Sequence, residues 1–244
     1  MKNIVEKEIE VRYSETDYKK KTNIISILNY FNEVAQQAGE FYDQQKDILS
    51  EESIAWIILN WDIEVFCYPE YLDKLKLQTI AHSIDRFIAF REFLIKDSSQ
   101  QILARGKSRW ILLNIDRRRP TAAREYMYDL YGVTSKTAPF EIVDPPQLKE
   151  YDIKTSFKVR KSDIDQYRHV NNVIYSRWIY ESLPYDFTSE KKLRELKIHF
   201  RKETTFGNVI SVLSSTDKEN NNIYHHKITD KDNNALVFAS SKWE

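Results

Sequence analysis

The sequence predicts an α+β chain in which one unit, a long helix wrapped by an antiparallel sheet, occurs twice in tandem. Three observations predict it: a repeated segment, a helical apolar stripe after each copy, and four strand-like segments after each stripe. From Val11 the chain reads Val-Arg-Tyr-Ser-Glu-Thr-Asp-Tyr-Lys-Lys-Lys-Thr-Asn. From Val159 it reads Val-Arg-Lys-Ser-Asp-Ile-Asp-Gln-Tyr-Arg-His-Val-Asn. The offset is 148 (159 − 11), and the 13 positions align without a gap. Val, Arg, Ser, Asp and Asn coincide, and Glu15 aligns with Asp163.

The flanks agree. Ile9, Val11 and Tyr13 alternate before the first copy, as do Ile153, Thr155, Phe157 and Val159 before the second. Period two marks a strand with one buried face. After the first copy Ile24, Ile27, Leu28, Phe31, Val34, Ala35, Ala38 and Phe41 recur at spacings of three and four, an amphipathic helix. After the second, Val170, Ile174 and Trp178 with Tyr175, Ile179 and Leu183 do the same until Pro184. Strand-like segments follow near 55–66, 74–82, 86–96 and 102–114, and again near 194–201, 208–215, 222–229 and 235–243. Trp61, Ile63 and Val65 alternate with Asp62, Glu64 and Phe66, while Ile102, Ala104, Gly106, Ser108, Trp110 and Leu112 form another single face. Leu196, Ile198 and Phe200 alternate with Lys197, His199 and Arg201. A helix of about five turns buries such a stripe only against the concave face of a sheet. Residues 119–152 carry Pro120, Pro139, Pro145 and Pro146 and read as a short helix plus a linker. The expected domains are therefore 1–118, a linker over 119–152, and 153–244.

Composition excludes several classes. Of 244 residues, 41% are hydrophobic and 30% charged, a globular balance. Only 4 are glycine, too few and too scattered for a phosphate-cradling loop. Basic and acidic residues balance at 37 each, so nothing in the bulk charge asks for a nucleic-acid partner. The single cysteine, Cys67, excludes an internal disulfide framework and suits a reducing cytosol. It is expected on a strand, as a buried structural thiol. Met1-Lys2-Asn3-Ile4-Val5-Glu6-Lys7 has no signal-peptide core, and no apolar run is long enough to span a bilayer. A cytoplasmic protein without membrane insertion is expected.

The two copies differ in reactive residues. Where the first has Lys21, the second has His169. The segment from Asp163 to Asn172 packs two carboxylates, a histidine and three carboxamides where a strand gives way to a helix. Free N–H groups and a positive dipole end gather there. Such an end polarises a carbonyl and lowers the proton affinity of an imidazole. Asp165 or Asn171 also suits plain helix capping, but capping does not need His169. His225 and His226 adjoin on a strand, point to opposite faces, and cannot grip one metal. No Cys-x-x-Cys or His-Glu-x-x-His pattern exists, and no metal or cofactor is expected. His82 and His199 are isolated, with a structural role as the default. The short basic runs Lys19-Lys20-Lys21 and Arg117-Arg118-Arg119 read as solvated turns or as steering charge.

The segment His169-Val170-Asn171-Asn172-Val173-Ile174-Tyr175-Ser176-Arg177-Trp178 resembles the signature of acyl-acyl carrier protein (acyl-ACP) thioesterases, a double hotdog family. Phe200-Arg201-Lys202-Glu203-Thr204-Thr205-Phe206-Gly207-Asn208-Val209 resembles that family's second signature. Trp56, Tyr68-Pro69, Arg109-Trp110 and Arg117-Arg118-Arg119-Pro120 extend the likeness over nearly the whole chain, in the same order. The resemblance implies a tandem hotdog that hydrolyses fatty acyl-ACP in fatty acid biosynthesis, with acyl carrier protein as partner. It also implies a catalytic C-terminal hotdog and an acyl-binding N-terminal one. Trp56, Trp61, Phe87 and Phe90 are the aromatic candidates for the acyl tunnel, and equally suit plain core. By position Asp165 matches the family's catalytic aspartate, His169 its histidine and Glu203 the glutamate of the second motif. Tyr167 stands where the family commonly has asparagine, a departure that changes the reach of one polarising group. Thr204 stands where plant members often have cysteine, which favours water over a thiol nucleophile. In that scheme His169 and Glu203 deprotonate the water and Asp165 orients the imidazole or the substrate. N–H groups at the helix start, with Asn171, hold the oxyanion. An acyl-CoA thioesterase or a dehydratase of the hotdog superfamily, or a non-catalytic acyl-binding hotdog protein, stays open beside this reading. Chain length and quaternary state, a homodimer included, are likewise open.

Overall fold

The computed structural model describes residues 3–43 and 53–244; Met1, Lys2 and the side chain of Phe41 lie outside the described residues. The chain divides into two compact units, Met1–Ile142 and Val143–Glu244.

The first unit runs β1 (Ile4–Glu10), α1 (Ile24–Asp43), β2 (Ile54–Val65), β3 (Lys74–Asp85), β4 (Ile88–Lys96), β5 (Ile102–Asn114), β6 (Arg119–Pro120) and α2 (Glu125–Tyr131). Its strands pair in the order β1-β3-β4-β5-β2, all antiparallel, with β6 added to β5. The period-two pattern is realised in burial. Trp61, Ile63 and Val65 are at most 1% exposed between half-buried Asp62 and exposed Glu64. On β5, Ala104, Gly106, Ser108 and Leu112 turn inward.

Helix α1 starts where Asn23 Oδ1 accepts the N–H groups of Ile25 (3.0 Å) and Ser26 (3.2 Å), satisfying two donors that a helix start leaves open. Its stripe of Ile24, Ile27, Leu28, Phe31, Val34 and Ala38 is buried. Phe31 stacks on Trp61 with ring centroids 5.7 Å apart and leans on Phe93 at 5.3 Å. That close approach depends on Gly106, because a Cβ there would lie 2.8 Å from the Phe31 ring. Gly106→Ala must displace a ring held between two others, and is expected to lower stability by about 1–3 kcal/mol. An unchanged urea midpoint would show that Phe31 yields freely.

Residues 119–142 go with the first unit. Met127, Leu130 and Tyr131 of α2 are buried against Ala38, Ile54 and Leu112. The helix stops at Gly132, whose left-handed φ of 63° suits glycine.

The second unit runs β7 (Ile153–Lys158), α3 (Asn172–Ser182), α4 (Tyr185–Glu190), β8 (Leu193–Phe200), β9 (Val209–Thr216), β10 (Ile223–Thr229) and β11 (Ala235–Trp243). The strand order is β8-β11-β10-β9-β7, again antiparallel. It repeats the first unit's plan, so the α+β tandem hotdog expected from the sequence is the fold found. One proportion differs. α3 has 11 residues against the 20 of α1, about three turns. Leu183 leaves the helix in an extended conformation before Pro184, and the chain restarts as α4, which the periodicity did not predict. Phe187 anchors that short helix edge-on to Tyr224 (5.1 Å) and Trp243 (5.3 Å).

A buried polar chain crosses this sheet. His226 is fully buried, with one ring nitrogen 2.8 Å from Ser214 Oγ and the other 2.8 Å from Ser241 Oγ. Trp243 Nε1–H donates to the same Ser241 oxygen at 2.9 Å.

Candidate active site

Both repeated segments fold into one hydrogen-bonded turn. In the second unit the Asp165 N–H donates to His169 O (2.9 Å) and the Arg168 N–H to Asp165 O (3.1 Å). Asp165 Oδ1 accepts the N–H groups of Tyr167 (2.8 Å) and His169 (3.3 Å). In the first unit the Asp17 N–H donates to Lys21 O (2.8 Å) and the Lys20 N–H to Asp17 O (2.9 Å). Asp17 Oδ1 accepts from Lys19 (2.8 Å) and Lys21 (3.1 Å). Lys20 and Arg168 even share a positive φ, 58° and 67°. The repeated Asp therefore holds the turn. The repeated Asn caps the helix that follows, with Asn171 Oδ1 accepting Val173 N–H at 3.0 Å.

The loop after the next strand also matches. Val170 N–H donates to Thr204 O (3.0 Å), Gly207 N–H to Val159 O (3.2 Å) and Val159 N–H to Asn208 O (2.9 Å). Thr22 N–H donates to Pro69 O (2.8 Å), Leu72 N–H to Val11 O (3.1 Å) and Val11 N–H to Asp73 O (3.0 Å). Position 204 thus corresponds to 69, and Glu203 to Tyr68.

Within this shared frame the side chains diverge. His169 Nε2 lies 3.2 Å from Glu203 Oε2, with side-chain exposures of 37% and 56% that leave both open to a ligand. In the first unit Lys21 Nζ meets Glu70 Oε1 at 3.0 Å, the carboxylate coming from two residues further along the loop than position 68. The Glu70 hydrogen bond and charge raise the proton affinity of Lys21, so its ammonium stays charged. Imidazole is instead the side chain suited to moving protons near neutrality. Behind Glu203, the Thr204 N–H donates to Tyr175 Oη at 3.2 Å. Burial pushes the Tyr175 phenol far above its ordinary pKa; the Thr204 N–H opposes the rise, and the Glu203 and Asp165 charges add to it. The phenol stays protonated.

Residues 2–131 match the family model described as the acyl-ACP thioesterase N-terminal domain, and residues 147–244 match its C-terminal domain. The chain belongs to the acyl-ACP thioesterase family. An oleoyl-acyl carrier protein thioesterase of Arabidopsis thaliana is 25% identical over 232 residues, which cover 86% of this chain and 62% of that protein. An acyl-[acyl-carrier-protein] hydrolase of Cuphea viscosissima is 26% identical over 213 residues, covering 80% and 49%. This acyl-ACP thioesterase family chain thus spans less than two thirds of the length of these relatives. Among solved structures, an acyl-ACP thioesterase from Bacteroides thetaiotaomicron shares the fold with a TM-score of 0.87 at 18% identity, covering 99% of this chain and 98% of that one. The 12:0-ACP thioesterase from Umbellularia californica does so at 0.86 and 19%, covering 99% and 97%.

The remaining predicted residues of the thioesterase-family chain are placed as follows. Tyr167 is 66% exposed, and its phenol has no partner among the described residues. The four aromatics do not share one wall. Trp61 sits inside with Phe31 and Phe93. Phe90, three residues before Phe93 on β4, faces the other side and packs on Phe140 at 5.8 Å. Trp56 Nε1–H donates to Tyr131 Oη (3.1 Å), and Phe87 lies under the Arg86 guanidinium in the β3–β4 turn (4.7 Å). His82 pairs with Glu92 (3.1 Å), His199 with Asp144 (3.1 Å) and His225 with Asp217 (2.9 Å), three ordinary contacts. Among the described residues no group of three His, Cys, Asp or Glu gathers as metal ligands, and no helix is long and apolar enough to cross a membrane.

The expectation of a buried Cys67 on a strand is corrected. β2 ends at Val65, the N–H groups of Phe66 and Cys67 both bond to Leu103 O (2.9 and 3.1 Å), and the chain swings outward there. Cys67 is exposed. The sequence did not single out the contact of Tyr175 with the loop behind Glu203, since Tyr175 sits in the apolar stripe of α3. Its signal was available in the alignment of the copies, where position 175 meets Ile27.

Proposed function

We propose that this chain hydrolyses the thioester joining a fatty acyl group to acyl carrier protein, releasing free fatty acid and holo-ACP. The observation that carries the reading is the His169–Glu203 pair at 3.2 Å, on a frame whose other copy holds only a lysine ion pair. Glu203 and His169 together take a proton from water as its oxygen attacks the thioester carbonyl carbon. The negative oxygen of the tetrahedral intermediate is held by hydrogen-bond donors, which act strongly when already oriented. Asn171 spends its Oδ1 on Val173 N–H, which leaves its Nδ2–H group for that oxyanion. The C–S bond then breaks, and the sulfur leaves with the proton carried by the imidazolium. Asp165 contributes through the main chain, by fixing the turn that presents His169. Tyr167, exposed at the same turn, contacts the incoming carrier arm. We assign the chemistry to the second unit and acyl binding to the first.

Purified protein given acyl-ACP and acyl-CoA substrates of matched chain length tests this. Fatty acid release from at least one acyl-ACP, at higher kcat/KM than from the matching CoA ester, is expected. Preference for CoA esters would transfer the activity to that substrate class, and tight acyl-ACP binding without turnover would make the protein a binding module.

A further inference from the structure

The two copies differ at one more coupled pair of positions. In the first, α1 carries Ile27 and the loop carries Pro69. In the second, the matching residues are Tyr175 and Thr204. Ile27 and Tyr175 are both buried on the helix face toward the sheet, at 0% and 3% exposure. Proline has no N–H, so the first copy needs no acceptor at this point of the loop. Thr204 has one, is itself only 5% exposed, and finds Tyr175 Oη at 3.2 Å. A buried N–H without a partner is costly, which explains why the tyrosine accompanies the amide. It does not explain why the second copy keeps an amide where proline serves the same loop in the first. The difference lies in the preceding residue. Position 203 is the glutamate that meets His169, whereas its counterpart is Tyr68, and the turn position matching His169 is Lys21.

We propose that Tyr175 is a positioning residue for the reaction: its phenol oxygen anchors the Glu203–Thr204 peptide and so aims the Glu203 carboxylate at His169. The anchored N–H belongs to the peptide plane that follows Glu203, and holding that plane fixes one of the two soft backbone torsions of the glutamate. Asn208 Nδ2–H donates to Thr204 Oγ1 at 3.1 Å and steadies the same residue from the other side. The phenol keeps its own proton, which has no acceptor among the described residues, beside the charges of Glu203 and Asp165. Tyr175 acts through Glu203 and touches no substrate.

The inference rests on the hydrolytic reading of His169 and Glu203, and a double-mutant cycle separates the two. Tyr175→Phe is expected to lower kcat for acyl-ACP hydrolysis about 10-fold with KM within about 2-fold, since the loss falls on the chemical step. In a Glu203→Ala background the same change should cost less than about 2-fold, because nothing is left to aim. A purely structural tyrosine would instead give effects that multiply. Thr204→Pro, which installs the first copy's residue and deletes the N–H, should show the same kcat loss and the same silence without Glu203. It decides the matter should thermal melting show that Tyr175→Phe does not fold. If Glu203→Ala and His169→Ala keep full turnover, the hydrolytic reading falls. If they lose it while Tyr175→Phe retains the parental kcat, or the two effects multiply, the positioning role alone is overturned.

Discussion

His169→Ala is expected to lower kcat on acyl-ACP by at least ~10²-fold, and Glu203→Ala to do the same, the loss typical of removing a positioned acid–base group. Both side chains are substantially exposed, so truncation leaves no buried charge behind and melting temperatures should hardly move. The first unit provides an internal control. Lys21 occupies the matching position of the same turn and pairs with Glu70, so Lys21→Ala removes a comparable surface ion pair without touching the proposed His169–Glu203 site. It should leave kcat unchanged. Near-normal turnover in both His169→Ala and Glu203→Ala would remove the proposed site altogether.

Acid should unfold this protein through His226. The ring is fully buried between Ser214 and Ser241, and its pKa is lowered to about 3, first by burial and then by the charge of His225. A neutral imidazole suits the place, since it donates through one nitrogen and accepts through the other. In the unfolded chain the same ring takes up a proton below about pH 6.5. Unfolding therefore binds a proton between about pH 6.5 and 3. The stabilisation is complete above the unfolded value and drains away as pH falls, at up to ~1.4 kcal/mol per pH unit and on the order of 4 kcal/mol in all. His226→Gln keeps a donor and an acceptor but does not titrate. Denaturant unfolding from pH 7 to pH 4 should show a shallower loss of stability for the variant, by about one proton's worth of slope. Equal slopes would mean that another group governs the acid limb.

The fold was legible because both of its periods are strongly written. The stripe on α1 keeps its spacing over the described turns, and β2, β5 and β8 alternate cleanly enough to fix which face is buried. The helix α4 was not legible, since six residues with a single aromatic anchor, Phe187, carry no period. Asp165, His169 and Asn171 stood out as candidates because they fall within one short segment where a turn enters a helix. Glu203 could not be reached by spacing, since a loop beyond another strand delivers it; only the resemblance of the second motif singled it out. Tyr175 was hidden by its own chemistry, because a buried phenol on a helix stripe reads as core until its hydroxyl is seen to hold an amide. Cys67 misled for the opposite reason, as apolar neighbours on β2 suggested a strand that ends two residues earlier.

The turn built on Asp17 or Asp165 is closed by main-chain bonds and one carboxylate oxygen, none of which depends on the side chain at its last position. Ammonium and imidazole are interchangeable passengers there. Histidine placed at position 21 would give a well-folded protein with an idle ring, because Tyr68 and Pro69 stand where an acid and an amide are wanted and Glu70 lies past the right rung. Building a second copy of the proposed centre takes several concerted changes in one loop, whereas breaking the His169–Glu203 pair takes a single change.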